Sequence, residues 1–227
     1  MENFYTHTPQ FLQSDKADEL FAYCLNLLDP TTPGPKILEY PIRGQKLKRS
    51  PKHEWKLNQN VGVYWWGQER RAYYDERYVT VGFPPILEWV RTQLGDPGIN
   101  HCIVIAYTDG VKHHIKWHSD KQEGVVGAGA RDIVAGTNIY NVVVCDNPRR
   151  FQLARLVGKD VQYVVFDQEL THGSLFTLAA LGNKTFKHQV PKEKGWTGTR
   201  FSLVFRTIKG EEKQIRNKRR RRNLRTD

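Results

Sequence analysis

The chain has 227 residues, 39% of them hydrophobic, enough for one substantial core and too few for a second complete domain. Thirty-five Lys and Arg against 24 Asp and Glu give a net charge of +11, a balance that favours polyanionic partners such as nucleic acid over acidic proteins. Cys24, Cys102 and Cys145 are far apart and form no C-x-x-C pair, which argues against a disulfide framework and against a cysteine zinc site. The N-terminal MENFYTHTPQ has no basic segment leading into an apolar one, and no run approaches the roughly 18 apolar residues of a membrane span. An intracellular, soluble protein of nucleus or cytoplasm is expected, with no membrane contact and no obligate protein partner.

In chain order, Ser14 or Asp15 can cap a helix that carries Leu20, Phe21, Cys24, Leu25 and Leu28 on one face, and Asp29-Pro30 stops it. The stretch from Arg43 to Tyr78 reads differently. RGQKLKRSPKHEWK is strongly basic, with Lys46, Lys48 and Arg49 as candidate phosphate contacts, and GVYWWGQERRAYYDERY interleaves aromatic with cationic residues. It reads as an exposed binding surface, although β-sheet core suits its aromatic cluster equally well. A second helix is expected to start at Pro84-Pro85, to bury Ile86, Leu87, Val90 and Leu94, and to end at Gly95 in a left-handed cap. Both helices are expected to pack on a sheet.

From Cys102 onward the segments CIVIAY, IYNVVV, VQYVVF, SLFTL and RFSLVF are rich in β-branched and aromatic residues and are separated by turn formers, which points to an antiparallel sandwich or jelly roll. GVVGAG at Gly124–Gly129 has no strand before it and no helix after it, so it reads as a flexible loop and not as a dinucleotide fingerprint. RNKRRRRNLRTD lacks apolar periodicity and reads as a disordered basic tail over 211–227, where Lys218–Arg222 serves equally well as a localisation signal, a solvated end or an added phosphate contact.

His118 and Asp120 lie two residues apart, and in an extended segment they point the same way, so both can grip one ion. An isolated H-x-D occurs in many unrelated proteins, and further histidines stand at His101, His113, His114 and His172, so the pair alone does not establish a site. His188, just before Pro191 and the final strand, is the leading third ligand. Two imidazoles and one carboxylate on one face of a metal leave three positions open, an arrangement that suits non-haem iron(II) better than structural zinc. Arg200 and Arg206, six apart, share one face of a strand. They suit either a dicarboxylate, which a planar guanidinium holds through two hydrogen bonds, or the plain cationic outer face of an edge strand.

The segments CIVIAYTDGVKHHIKWHSD, RRFQLARL, LTHGSLFTL and KHQVPKEKGWTGTRFSLVFR, in this order, resemble the AlkB family of iron(II)/2-oxoglutarate oxygenases, the nucleic-acid demethylases. The resemblance runs from about Gly62 to Ile208 and is most specific in GSLFTL, H-x-V-P and R-x-S-L-V-F-R. It implies that His118, Asp120 and His188 bind iron(II), that Arg200 and Tyr107 hold the distal carboxylate of 2-oxoglutarate, and that Arg206 supports Asp120 and the other carboxylate. Ser202 stands where an asparagine is frequent and keeps a hydrogen-bonding side chain. The fold implied is an α+β, β-rich double-stranded β-helix (jelly roll) in one domain over 1–210, with N-terminal helices and a substrate lid in 1–100, and the catalytic core in 101–208.

Two departures stand out. Ile105 replaces an asparagine that many members have two positions before the tyrosine, and Lys121 and Gln122 follow the H-x-D motif where demethylases commonly have an acidic residue. The activity implied is dioxygen-dependent removal of methyl groups from bases of DNA or RNA, with release of succinate, carbon dioxide and formaldehyde. A base inside a duplex must be flipped out or taken from a single strand. Tyr64, Trp65, Trp66, Tyr73 and Tyr74 are candidates to stack on it, and Arg70 and Arg71 to contact phosphates. The alternatives are a same-fold oxygenase of a protein, lipid or small molecule, and a nucleic-acid-binding module without turnover.

Overall fold

The computed structural model describes residues 4–28, 38–39, 62–67, 83–111, 113–120, 133–158 and 160–207, with the backbone alone described for 27–28, 38–39 and 62–67. Arg70, Arg71, Tyr73, Tyr74, Lys121, Gln122, the glycine segment 124–129 and the basic tail lie outside the described residues, as do Lys46, Lys48, Arg49 and most of the expected lid. Among the described residues, no helix is long and apolar enough to cross a membrane.

Eleven strands and three helices are described: β1 (Tyr5–Thr8), α1 (Ser14–Leu28), β2 (Leu38–Glu39), β3 (Gly62–Gly67), α2 (Pro85–Leu94), β4 (His101–Tyr107), β5 (Ile115–His118), β6 (Ile139–Cys145), β7 (Arg149–Val157), β8 (Asp160–Leu170), β9 (Ser174–Leu178), α3 (Ala180–Thr185), β10 (Lys187–Val190) and β11 (Arg200–Arg206). The strands form two sheets of antiparallel pairs, one in the order β1-β9-β6-β11-β4-β3-β2 and one in the order β5-β10-β7-β8. This is a β-rich, jelly-roll-like arrangement of two facing sheets.

The larger sheet is covered on both faces, which explains why its strands read as nearly continuous apolar runs. Side chains alternate across it. Phe201, Leu203 and Phe205 of β11, Cys102, Val104 and Ala106 of β4, and Val142 and Val144 of β6 join Leu20 and Cys24 of α1 and Leu87 and Val90 of α2 in one buried cluster. The opposite face, with Tyr107, Ile139, Val143, Phe176 and Leu178, meets Phe151, Leu153, Phe166 and Val190 of the smaller sheet in a second cluster. Any polar residue on that inner face is therefore enclosed between the sheets, and this is where the site forms.

Both helices pack on the sheet. Ser14 begins α1, but Leu25, expected on its buried face, is 40% exposed. Its position is carried past the apolar stripe centred on Ala17, Leu20 and Cys24, because an α-helix advances about 100° per residue. Gly95 ends α2 at φ 67, the left-handed cap that glycine adopts without steric cost. Gly62–Gly67, read as part of an exposed surface, has a strand backbone inside the larger sheet, pairing Tyr64 with Val104, Trp65 with Ile103 and Trp66 with Cys102. β-branched and aromatic content favours this sheet alternative.

Candidate metal centre

β5 and β10 are neighbours in the smaller sheet, and their register places His118 directly opposite His188. Residues facing each other across an antiparallel pair point to the same side, and the two imidazole rings lie 4.2 Å apart, centre to centre. Asp120, just beyond the end of β5, brings Oδ1 to 3.5 Å from His118 Nε2 and 3.9 Å from His188 Nε2. The three ligand atoms lie within 4.8 Å of one another, close enough for one ion to gather them.

The hydrogen bonds around the triad orient it for a metal. His118 Nδ1 lies 2.8 Å from the Lys116 carbonyl, which can only accept, so Nδ1 carries a proton and Nε2 is the nitrogen that faces Asp120 and that a metal would take. Burial would raise the Asp120 pKa. The hydrogen bond with His118, then proximity to His188 and to the Arg206 guanidinium, whose Nη1 is 3.6 Å from Oδ2, outweigh it and hold the carboxyl well below the usual carboxylate range. Burial lowers His188 to about 3, with proximity to His118 acting in the same direction and Asp120 opposing it, so the imidazole is neutral and free to ligate near neutral pH.

A residue that sequence reasoning missed holds this carboxylate in place. Asn183, on α3 and 2% exposed, accepts from the Asp120 N–H through Oδ1 at 3.0 Å and donates to the Asp120 carbonyl through Nδ2 at 2.9 Å. Ser119 Oγ donates to the Phe186 carbonyl alongside it. The H-x-D segment is thereby stitched to the α3–β10 segment that carries His188. The only sequence signal was an asparagine five residues before that histidine, which is too common a placement to single out.

Above the triad, the inner face of the larger sheet lines a cavity with Ile103, Ile105, Ile139, Phe176, Leu178 and Val204, mixed with the polar side chains Tyr107, Asn141, Ser202 and Arg206. Arg200 lies against Tyr107, with its guanidinium carbon 5.0 Å from the ring centre. β11 is a central strand, and Arg200 is completely buried, so the outer face of an edge strand is not its environment. None of its three side-chain nitrogens has a well-formed hydrogen-bond partner among the described residues, and Ser202 Oγ is also without one. Burial lowers the Arg200 pKa from its ordinary value, with Tyr107 opposing, while burial raises the Tyr107 phenol, opposed by the charges of Arg200 and Arg149.

A buried guanidinium without hydrogen bonds is costly unless an anion completes it. The site therefore fits an acid whose carboxylate reaches Arg200 and Tyr107. Asn141 was also missed. It is the one polar residue in the run IYNVVV, it lines the cavity, and its Oδ1 is buried and unpaired.

The triad, Tyr107, Ser202 and Arg206 thus line one cavity between the sheets, with Arg200 buried against Tyr107. The cavity wall at Ile105 is aliphatic, as its sequence departure requires.

The comparisons with known proteins agree at the level of fold. No family model and no curated protein matches the chain. A solved structure of OsALKBH1 superposes on 91% of this chain and 99% of its own, with a TM-score of 0.58 at 13% identity. The chain has an AlkB-like fold with a His–Asp–His grouping compatible with iron.

Proposed function

We propose that the protein is an iron(II)- and 2-oxoglutarate-dependent dioxygenase that demethylates N-alkylated bases in DNA or RNA. The observation that carries the oxygenase reading is the buried Arg200, without a well-formed hydrogen bond among the described residues, against the ring of Tyr107, which lines the cavity that holds the triad. An anion site and an open three-ligand metal site in one enclosure suit a bidentate 2-oxo acid.

His118, Asp120 and His188 would hold iron(II), with the Asn183 clamp and Arg206 fixing the carboxylate. Tyr107 and Arg200 would bind the distal carboxylate of 2-oxoglutarate, and Ser202 and Arg206 would complete the nearer end. When bound, the metal with 2-oxoglutarate and dioxygen supplies oxidation of a methyl C–H bond, with succinate and carbon dioxide as co-products and formaldehyde leaving from the hydroxylated N-methyl group. The chain's own contribution is to orient the acid, keep three coordination positions open and exclude water with the apolar wall.

The net charge of +11 supports nucleic acid as the substrate. In this reading the aromatic stretch with Tyr64, Trp65, Trp66, Tyr73 and Tyr74 would supply the rings that stack on the exposed base, Arg70 and Arg71 would meet phosphates, Lys121 and Gln122 would take the position where the base is read, and the tail would add salt-sensitive affinity.

The test is iron-dependent conversion of 2-oxoglutarate to succinate by wild type and His118→Ala, with methylated single- and double-stranded oligonucleotides followed by mass spectrometry. Loss of one methylene mass per methyl group, in the wild type alone, is expected. Succinate without loss of methyl from any oligonucleotide would move the substrate to a protein, lipid or small molecule, and no succinate at all would overturn the oxygenase reading.

A further inference from the structure

Arg149, at the start of β7, is completely buried. Its Nη2 donates to the carbonyls of Gly110 at 2.9 Å and Pro191 at 3.0 Å, and Nη1 lies 3.4 Å from the Asp109 carbonyl. The guanidinium carbon stands 4.8 Å from the Trp196 ring centre and 5.4 Å from that of Tyr107. Tyr107 therefore has two buried guanidinium groups against it, Arg149 and Arg200.

The carbonyl contacts alone would make Arg149 a staple between two loops, and neutral donors serve that purpose as well. A full charge in this position needs another reason, because burying it is costly without a counter-charge. The carboxylate nearest Arg149 is Glu193, whose Oε2 is 3.8 Å from Nε without a hydrogen bond forming at either atom. Glu193 and Asp109 both act on Arg149, whereas Arg200 forms no ion pair among the described residues, so an incoming carboxylate at Tyr107 would meet one guanidinium without a partner and a second one behind the ring.

Resting on the co-substrate reading above, we propose that Arg149 is a positioning residue for the distal carboxylate: it holds the Tyr107 ring against Arg200 and supplies the second buried charge of that subsite. Selectivity for a dicarboxylic 2-oxo acid then belongs to the Arg149–Tyr107–Arg200 group and not to Arg200 alone. The guanidinium suits this double task because it stacks on aromatic faces and donates in its own plane at once.

The test is calorimetric titration of the full-length chain, loaded with Mn(II) in place of iron, with 2-oxoglutarate and with 2-oxopentanoate, which has the same 2-oxo acid head and a methyl group for the distal carboxylate. In Arg149→Gln, which keeps amide donors for the carbonyls but removes the charge, 2-oxoglutarate affinity is expected to fall about tenfold while 2-oxopentanoate affinity stays at the wild-type value. Arg149→Lys is expected to recover much of the loss. Equal weakening for both acids would reduce Arg149 to a structural staple, and unchanged affinity for both would remove it from the subsite altogether.

Glu193→Gln, at a partly exposed position, keeps the question answerable if the Arg149 variants do not fold. It is expected to tighten 2-oxoglutarate two- to threefold and leave 2-oxopentanoate unchanged, and unchanged affinity for both acids overturns the charge argument. Wild-type protein that binds neither acid while holding Mn(II) would instead bring down the co-substrate reading on which the proposal stands.

Discussion

Asp120 depends on neighbours that are remote in sequence. Its charge is stabilised by His118 two positions before it and, from far along the chain, by His188 and Arg206, and its backbone is clamped by Asn183, 63 residues away. Removing a group that orients a metal ligand typically costs 10- to 100-fold in metal affinity. Asn183→Ala is expected to weaken Mn(II) binding by about tenfold, measured by electron paramagnetic resonance titration, with Mn(II) still binding at higher concentration because all three ligands remain.

His188 makes a prediction about pH in the metal-free protein. Its pKa is about 3 in the folded chain against the ordinary 6.5 of an imidazole, so between these values the unfolded chain binds a proton that the folded chain does not. Stability contributed by the neutral ring is therefore present above pH 6.5 and is lost as pH falls toward 3. His188→Asn is expected to show a smaller drop in urea midpoint between pH 7 and pH 5 than wild type, both in the presence of a chelator. An equal drop in the two proteins would mean that His188 is not held neutral.

At the scale of elements, the site is made by strand register and by loop contacts. The β5–β10 register sets His118 against His188, and the alternation of β11 turns Arg200, Ser202, Val204 and Arg206 to the inner face while Phe201, Leu203 and Phe205 face the helices. The turn after β4 is as tightly constrained. A Cβ at Gly110 would fall on the carbonyl oxygen of Glu193 and close to Trp196, and the Gly110 carbonyl receives both the Glu193 N–H and Arg149 Nη2. Gly110→Ala is expected to push the Pro191–Trp196 segment away from Arg149 and to weaken 2-oxoglutarate binding more than Mn(II) binding, since the triad is carried by β5, β10 and the Asp120 segment. Titration of both ligands against the variant checks this.

At the scale of the whole molecule, the two sheets share a core of Phe151, Phe166, Phe176, Leu178 and Val190. Asp120, held by His118 and His188 on the smaller sheet, is reached by Arg206 from the larger one. A metal in the triad would tie β5 to β10 and bind the folded state alone. Mn(II) at a hundred times its dissociation constant is expected to add about 2.7 kcal/mol to unfolding free energy, seen as a rise in thermal midpoint that a chelator reverses. His118→Ala should abolish most of that rise.

Local sequence alone was enough for α1, α2, the strand runs from Cys102 onward and the candidate ligand residues, but not for β1, β7, α3 or β10. The α2 boundaries follow from Pro84-Pro85 and Gly95, the strands of the larger sheet from their β-branched runs, and the H-x-D pair from two residues whose spacing is local. These are preferences set within a few residues of the chain, so they are visible without the fold. Only the tertiary structure decided that His118 faces His188 across 70 residues, that Asn183 grips Asp120, that Arg149 and Arg200 flank one tyrosine, and that Gly62–Gly67 joins the sheet. Register and burial come from packing both faces of a sheet at once, and no residue type announces in isolation which distant partner will satisfy it.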